Sequence, residues 1–303
     1  MTLQNSETTV AGTPGDGLQK RGVAIVTDSA TALPAEVTRT LGIQVAQMEI
    51  TINGKTFVDG PGGGLDDFYT TLRTSGTMPT TSAPKPGAWL DAFRAAARQS
   101  NTIFCITLSS TLSAAYDAAR VAAEVAVNEL PDVQITVFDS RSAAGSEALL
   151  VLECARMARR GASLQKIDAR ARLLVDHLKL LAYLDTLEYI HRGGRVPKIA
   201  VWATSLLNIK PVLEFSAGKI GAIARPRSRS SAFRRIVKEA TTDLQGKRAH
   251  INVMHADAAD EADELLRVLD DRLECAEIFM TQFHPFMGTH TGPGLVGVSY
   301  WGE

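Results

Sequence analysis

Between residues 103 and 160 the chain alternates twice between a short apolar run and a longer amphipathic one. Residues 103–108 (IFCITL) read as a strand, 114–130 as a helix, 133–139 (VQITVFD) as a strand, and about 143–160 as a helix closed by Gly161. This alternation predicts a parallel sheet, because parallel neighbours need a crossover connection long enough to hold a helix. Upstream, GVAIVTDS (22–29) supplies another β-branched strand, and PAEVTRTLG (34–42) a helix stopping at Gly42. IQVAQMEITING (43–54) alternates like one strand and ends in Asn53-Gly54, the strongest hairpin signal in the chain. GPGGG (60–64) reads as a loop leading into a short helix over 65–74, with Asp66 and Asp67 suited to its start. A second loop, 76–87, precedes a helix with Trp89, Phe93 and Ala97 on one face.

The second half has a different rhythm. Residues 163–184 read as a helix running into a strand, KPVLEFSAGKIGAIA (210–224) as a hairpin, 248–273 as strand, turn and helix, and LVGVSYWG (295–302) as a final strand. Fewer strand–helix alternations and one hairpin predict a smaller α+β unit. The expected organisation is therefore a tail over 1–20, an α/β domain over 21–164 and an α+β domain over 165–303, with the cleft between the domains as the ligand site. The tail is expected to be disordered, because MTLQNSETTVAGTPGDGLQK has neither a signal peptide's basic start nor its apolar core.

Composition excludes more than it selects. A net charge of −1 gives no field that would gather nucleic acid or anionic membrane. Cys105, Cys154 and Cys275 are far apart and two lie in apolar runs, which argues against disulfides or zinc and for a cytoplasmic location. His284 and His290 have the wrong spacing for a helical metal pair.

Hydroxyls gather where strands end: Ser29 after Asp28, Thr81-Ser82 before Pro84, and Ser109-Ser110 in ITLSSTLSAAY (106–116). Loops at the carboxyl ends of parallel strands share one edge, and helices starting there offer free N–H groups to an anion. Each hydroxyl taken alone is more simply a helix cap. Ser109 or Ser110 as a nucleophile would need the glycine-flanked elbow of an α/β-hydrolase, whereas Leu108, Thr111 and Leu112 stand there instead. No phosphate loop of the Walker type occurs. HRGGRVPK (191–198) could hold a phosphate, although a helix end capped by Gly193 is the plainer reading. The six basic residues of ARPRSRSSAFRRIVK (224–238) lack the aromatic interleaving of a nucleic-acid surface and read as a solvated or docking face. His290, between two threonines before a glycine turn, is either an anion donor or a turn histidine bonded to local backbone.

Eight stretches in order, from VTDSATALP through TSAPKPG, TLSSTLSAAYDAA, VFDSRSAAGSEALL, LEYIHRGGRV, NIKPVLEFSAGKI and MHADAAD to THTGPG, make the chain resemble the DegV family of bacterial lipid-binding proteins. The resemblance covers nearly everything from residue 22. It implies a three-layer α/β/α domain with a mostly parallel sheet, an α+β domain with a mixed sheet, and a long-chain fatty acid in a tunnel between them. It further implies a carrier that takes a fatty acid from the membrane by transient surface contact. The carrier then presents the carboxylate to the ATP-binding subunit of a fatty acid kinase, which makes acyl phosphate. The chain would then be no enzyme and need no cofactor, with the fatty acid as its ligand. Carried over by motif, the carboxylate-binding hydroxyls are Thr81, Ser82, Ser109 and Ser110, and the head-group or phosphoryl-transfer residues are Arg227 and His290. Ala83 and Ala114-Ala115 depart from the family pattern by removing polar groups near that site. Competing expectations are a serine hydrolase or acyltransferase using Ser109 or Ser110, and a regulator touching nucleic acid through 225–238. Segments near 60–75 and 185–205 are expected to open for exchange, in a protein taken as a monomer.

Overall fold

A computed structural model describes residues 8–10, 22–60, 67–74, 78–196 and 209–303. The first sheet has the order β1-β8-β7-β2-β3. Its strands are β2 (Ala24–Asp28), β3 (Gln44–Ala46), β7 (Thr102–Thr107) and β8 (Gln134–Asp139), all parallel, with β1 (Thr8–Val10) antiparallel on the β8 edge. The rest of the expected 1–20 tail lies outside the described residues, as does most of the expected 60–64 loop.

The crossover helices Pro86–Ala97 and Ala115–Glu129 cover one face of this sheet, packing Trp89, Phe93 and a run of alanines onto it. Ala144–Arg159 covers the other, with Leu164–His177 packed outside it. Ile167, Ala171 and Leu174 of this last helix join Phe104 and Ile106 in one apolar cluster. The expected division at 164/165 thus falls in front of a helix that shares the first sheet's core.

The stretch 43–54 does not run as one strand. It breaks after Ala46, because the Met48 N–H donates to Ser29 Oγ (3.1 Å) and the Met48 carbonyl accepts from Asp59 N (2.9 Å). Those groups are then lost to a ladder, and the chain leaves the first sheet for a small one. That sheet is β5-β4-β6, with β4 (Glu49–Ile52), β5 (Lys55–Val58) and β6 (Thr80–Ser82). Asn53 and Gly54 make its hairpin turn with φ of 51° and 76°, the left-handed pair that a two-residue turn requires.

The second half forms a mixed sheet ordered β11-β10-β9-β14-β12-β13. Its strands are β9 (Lys179–Tyr183), β10 (Val212–Ser216), β11 (Lys219–Ala224), β12 (Ala249–Ala256), β13 (Cys275–Gln282) and β14 (Leu295–Gly302), of which only β12 and β13 pair in parallel. Helices Arg229–Asp243 and Ala259–Asp270 cover its outer face. The inner face packs against Ala144–Arg159, which is buried nearly all round its first half because it lies between the two sheets. Gly145 permits the approach: a Cβ there would lie 2.2 Å from Asn252 Oδ1 and 2.7 Å from Met254 Sδ.

That burial traps two carboxyls. Asp28 is fully buried and accepts from Leu108 N (2.8 Å) and Ala30 N (3.1 Å), yet desolvation pushes it up to about 7 against those two donors. Glu147 is also fully buried, neither oxygen has a well-formed hydrogen bond, and burial raises it well above the usual carboxylate range. The Thr27 hydroxyl opposes that rise only weakly. Both groups bind a proton more tightly folded than unfolded, so their contribution is complete below the carboxylate range and is lost as the pH climbs, for Asp28 through about 7 and for Glu147 through a range well above the usual carboxylate one. Melting temperature measured from pH 4 to pH 8 should therefore fall toward the alkaline end. Glu147→Gln should recover several degrees at pH 8 and change nothing at pH 4; an equal gain at both would place the effect elsewhere.

Candidate functional site

The inner face of the mixed sheet is sorted by strand alternation. On β9, Leu181 and Tyr183 point to the outer helices, while Leu180, Ala182 and, just beyond the strand, Leu184 point inward. On β10, Val212 faces out and Leu213 and Phe215 face in. The inward residues form one wall of a cavity of about 480 Å³. The opposite wall comes from the first half: Leu108 and Leu112 after β7, Ala143 and Ala144 at the helix start, and Ala83 after β6. Helix Glu188–Gly193 and helix Pro285–Thr291 close the side, through Ile190, Phe286 and Met287. The volume falls within the range of about 300–1,000 Å³ typical of small-molecule sites, and the lining is almost entirely apolar.

One polar pair is formed on this wall. Thr81 Oγ1 and His290 Nε2 are 2.7 Å apart. His290 sits in the last turn of helix Pro285–Thr291, not in the glycine turn that follows. Its Nδ1 is buried without a hydrogen-bond partner. Burial, helped by the nearby Arg195 charge, pulls the imidazole down to about 4, so the ring is neutral at pH 7. Arg195 lines the mouth, its Nη1 donating to the Gly193 carbonyl at 2.7 Å. A Cβ on Gly193 would lie 2.9 Å from His290 Nδ1, so glycine is what lets this turn close over the ring. Ser113 also lines the cavity; its Oγ accepts from Ala115 N at 3.2 Å and keeps its own O–H free to donate.

Of the six residues marked by the sequence, the fold brings two together. Thr81 and His290 are in contact at the cavity. Ser82 is the next residue on β6, so the pleat sends it to the opposite, exposed face. Ser109 is fully buried, its hydroxyl 2.9 Å from Thr111 Oγ1 and its N–H on the Ser142 carbonyl at 2.9 Å. Ser110 is exposed and gives both its N–H (3.1 Å) and its O–H (2.5 Å) to Asp139. The four-hydroxyl cradle is thus not assembled: three of its members are turned away or engaged in holding strand ends. Arg227 is exposed and outside the cavity lining. Sequence reasoning missed Ser113, three residues beyond the expected pair, and gave Arg195 only a phosphate role. Their shared signal was position in a loop next to the right strand or helix, which does not reveal side-chain direction.

The same geometry bears on the competing expectations. Among the described residues, no hydrogen bond joins Ser109 or Ser110 to a histidine. His250 bonds Glu277, His255 accepts from Ala258 N, and His284 lies 3.9 Å from Asp59. In the basic stretch, Arg229 turns to Asp185 and Glu261, Arg235 to Glu239, and Arg234 to Ser230 and Ser231. Arg229 and Arg235 are therefore ion-paired within the fold. Among the described residues no helix is long and apolar enough to cross a membrane, and no three His, Cys, Asp or Glu side chains could hold a metal.

A folded-state value of about 4 for His290 means that its contribution is complete above the ordinary histidine range and is lost as the pH falls through about 4. In an NMR titration the His290 ring should keep its neutral signature down to pH 5. Gly193→Ala should displace the ring and move its midpoint toward that of solvated histidine; an unperturbed midpoint near 6.5 in the unsubstituted chain would show that the ring is not buried.

Comparison with known proteins places this cavity in context. The model of the family described as "Uncharacterised protein, DegV family" matches residues 22–303. A DegV domain-containing protein of Caldanaerobacter subterraneus subsp. tengcongensis is 30% identical over 279 residues, spanning 92% of this chain and 98% of the relative. Among solved structures, a DegV family protein from Thermus thermophilus described by its fatty acid binding superposes with a TM-score of 0.84 at 26% identity, covering 93% of this chain and all of that one. A stearic-acid-binding protein from Eubacterium ventriosum has the same fold, with a TM-score of 0.85 at 24% identity over 92% of this chain and 98% of that one.

Proposed function

The chain belongs to the DegV family, and we propose that it binds a long-chain fatty acid in the cavity between its two halves. The observation that carries this reading is a cavity with an almost entirely apolar lining, in which Thr81 and the Gly193–Arg195 turn stand beside His290. Each buried methylene contributes about 0.8 kcal/mol, so a chain of roughly 14 of them gains on the order of 11 kcal/mol before the losses of association are counted. An unpaired carboxylate would cancel much of that gain. Ser113 and Arg195 supply donors, and the Thr81–His290 pair supplies one more: His290 Nδ1–H in the tautomer whose Nε2 accepts from Thr81, or the Thr81 hydroxyl in the tautomer whose Nε2–H donates to Thr81 Oγ1. The fatty-acid binding of the Thermus thermophilus relative supports the same ligand class. Ser109, Ser110 and Asp139 are proposed as supports of the cavity wall, not as carboxylate ligands.

The finer proposal is that the bound acid is presented to the ATP-binding subunit of a fatty acid kinase in the cytoplasm. There a carboxylate oxygen attacks the γ-phosphorus of ATP, ADP leaves, and acyl phosphate forms. This chain then acts as carrier and not as catalyst, loading from a membrane by transient contact. Arg195 at the cavity mouth suits that arrangement, because a carboxylate beside it is held near the surface.

Protein purified from a bacterial host should release a saturated or monounsaturated long-chain acid on organic extraction. Thr81→Val and Ser113→Ala should each weaken retention about tenfold, the scale of a lost hydrogen bond to a charged group. Ser110→Ala should leave retention unchanged. Extracts free of fatty acid, with no uptake from added palmitate, would sink the binding reading; ADP release by an added kinase subunit that ignores palmitate loading would sink the carrier role alone.

A further inference from the structure

We infer that the β10–β11 turn, pinned by Arg141, is the stop that sets the longest acyl chain this cavity accepts; the inference rests on the fatty-acid reading above. Strand register gives the cavity a direction. Directly paired residues share a face, and the pairs Ala182–Leu213, Leu180–Phe215 and Phe215–Ile220 all line the cavity. Leu184 adjoins the helix Glu188–Gly193 that closes over His290, so it marks the head end. Leu180, Phe215 and Ile220 lie four residues further along, about 13 Å at the rise of an extended strand. They form the far wall.

Behind that wall the chain turns at Ala217-Gly218, with φ of 47° and 79° between the paired Ser216 and Lys219. β11 is an edge strand, so this turn has neighbours on one side only. What holds it comes from the other half of the protein. Gly218 N donates to the Arg141 carbonyl at 2.8 Å, and Arg141 Nη2 donates to the Ala217 carbonyl at 2.7 Å. Arg141 is itself fixed in a left-handed conformation (φ 48°) by its N–H on Asp139 Oδ1 at 2.9 Å. Asp139 is the acceptor that Ser110 grips with both its donors. Ser110, through Asp139, therefore acts on the stop as a positioning residue. Ala143 and Ala144, next along the chain from Arg141, complete this end of the lining with side chains too small to shorten it.

The test offers the purified protein an equimolar mixture of myristic, palmitic, stearic and arachidic acids and measures the retained acids by mass spectrometry. The unsubstituted chain should show a sharp fall beyond one length. Phe215→Ala should move that fall to an acid two methylenes longer, raising the ratio of the longer acid to the shorter about tenfold. Ile220→Ala, at a partly exposed position that tolerates truncation, should move it in the same direction. Arg141→Ala should blur the cut-off, because it removes the guanidinium bond to the Ala217 carbonyl and leaves the turn on the main-chain bond alone, without any change in lining volume. Retention of the acids by all variants with an unchanged length profile would overturn the stop. A chain that retains none of the acids, even unsubstituted, would instead overturn the binding reading on which the stop rests.

Discussion

The cavity exists because one helix is held between two sheets. Ala144–Arg159 touches the parallel sheet on one side and β12 and β14 on the other, and its first turn is where the approach is tightest. The Gly145 N–H points at Met254 Sδ at 3.1 Å, which leaves no room for any side chain. With that contact fixed, the two halves cannot slide, and the space beyond the helix start is bounded by β9 and β10 on one side and the ends of β7 and β8 on the other. The same sandwiching explains Glu147. A glutamate in the first turn suits the helix dipole, but this one faces Thr27 and Asp28 of the parallel sheet, and burial there holds its carboxyl well above the usual carboxylate range.

The polar end of the cavity follows a different electrostatic logic. A fixed buried cation would hold an acid too tightly to give it up and would be costly when the cavity is empty. Here the innermost groups are neutral: two hydroxyls and an imidazole whose burial keeps it uncharged. Among the described lining residues the one full charge, Arg195, stays at the mouth, where water can take over its solvation when no ligand is present. On the proposed reading a carboxylate is met by dipoles inside and a screened charge outside, which favours capture and still permits release.

Much of the architecture was legible from local pattern. The strand–helix alternation of 103–160 and the Asn53-Gly54 turn depend on neighbours in sequence, and both are found as expected. Thr81 and His290 were marked through their motifs, and they meet although 209 residues separate them. What sequence could not supply was direction. Ser109, Ser110 and Ser113 are chemically alike, and only the course of the turn after Leu108 decides which one faces the ligand. In the same way Thr81 and Ser82 are a pair in sequence and opposites on a pleated strand. The break after Ala46 was hidden too, since it depends on Ser29 and Asp59 claiming the main chain of Met48.

The hydroxyl-rich loop, read as a nucleophile or an anion cradle, is better understood through what Asp139 demands. That carboxylate ends β8 beside the end of β7, and it must be met by donors. Ser110 supplies two and the Arg141 backbone a third. Satisfying Asp139 bends Arg141 into the left-handed region, and the bend aims its carbonyl and guanidinium at the far hairpin. A local electrostatic requirement at the end of the parallel sheet's strands is thus passed on, through one residue in the left-handed region, to the β10–β11 turn at the edge of the mixed sheet. Ser109 and Ser110 are thus engaged in holding strand ends, while Ser113, freed from that duty by three residues of turn, is left to face the cavity itself.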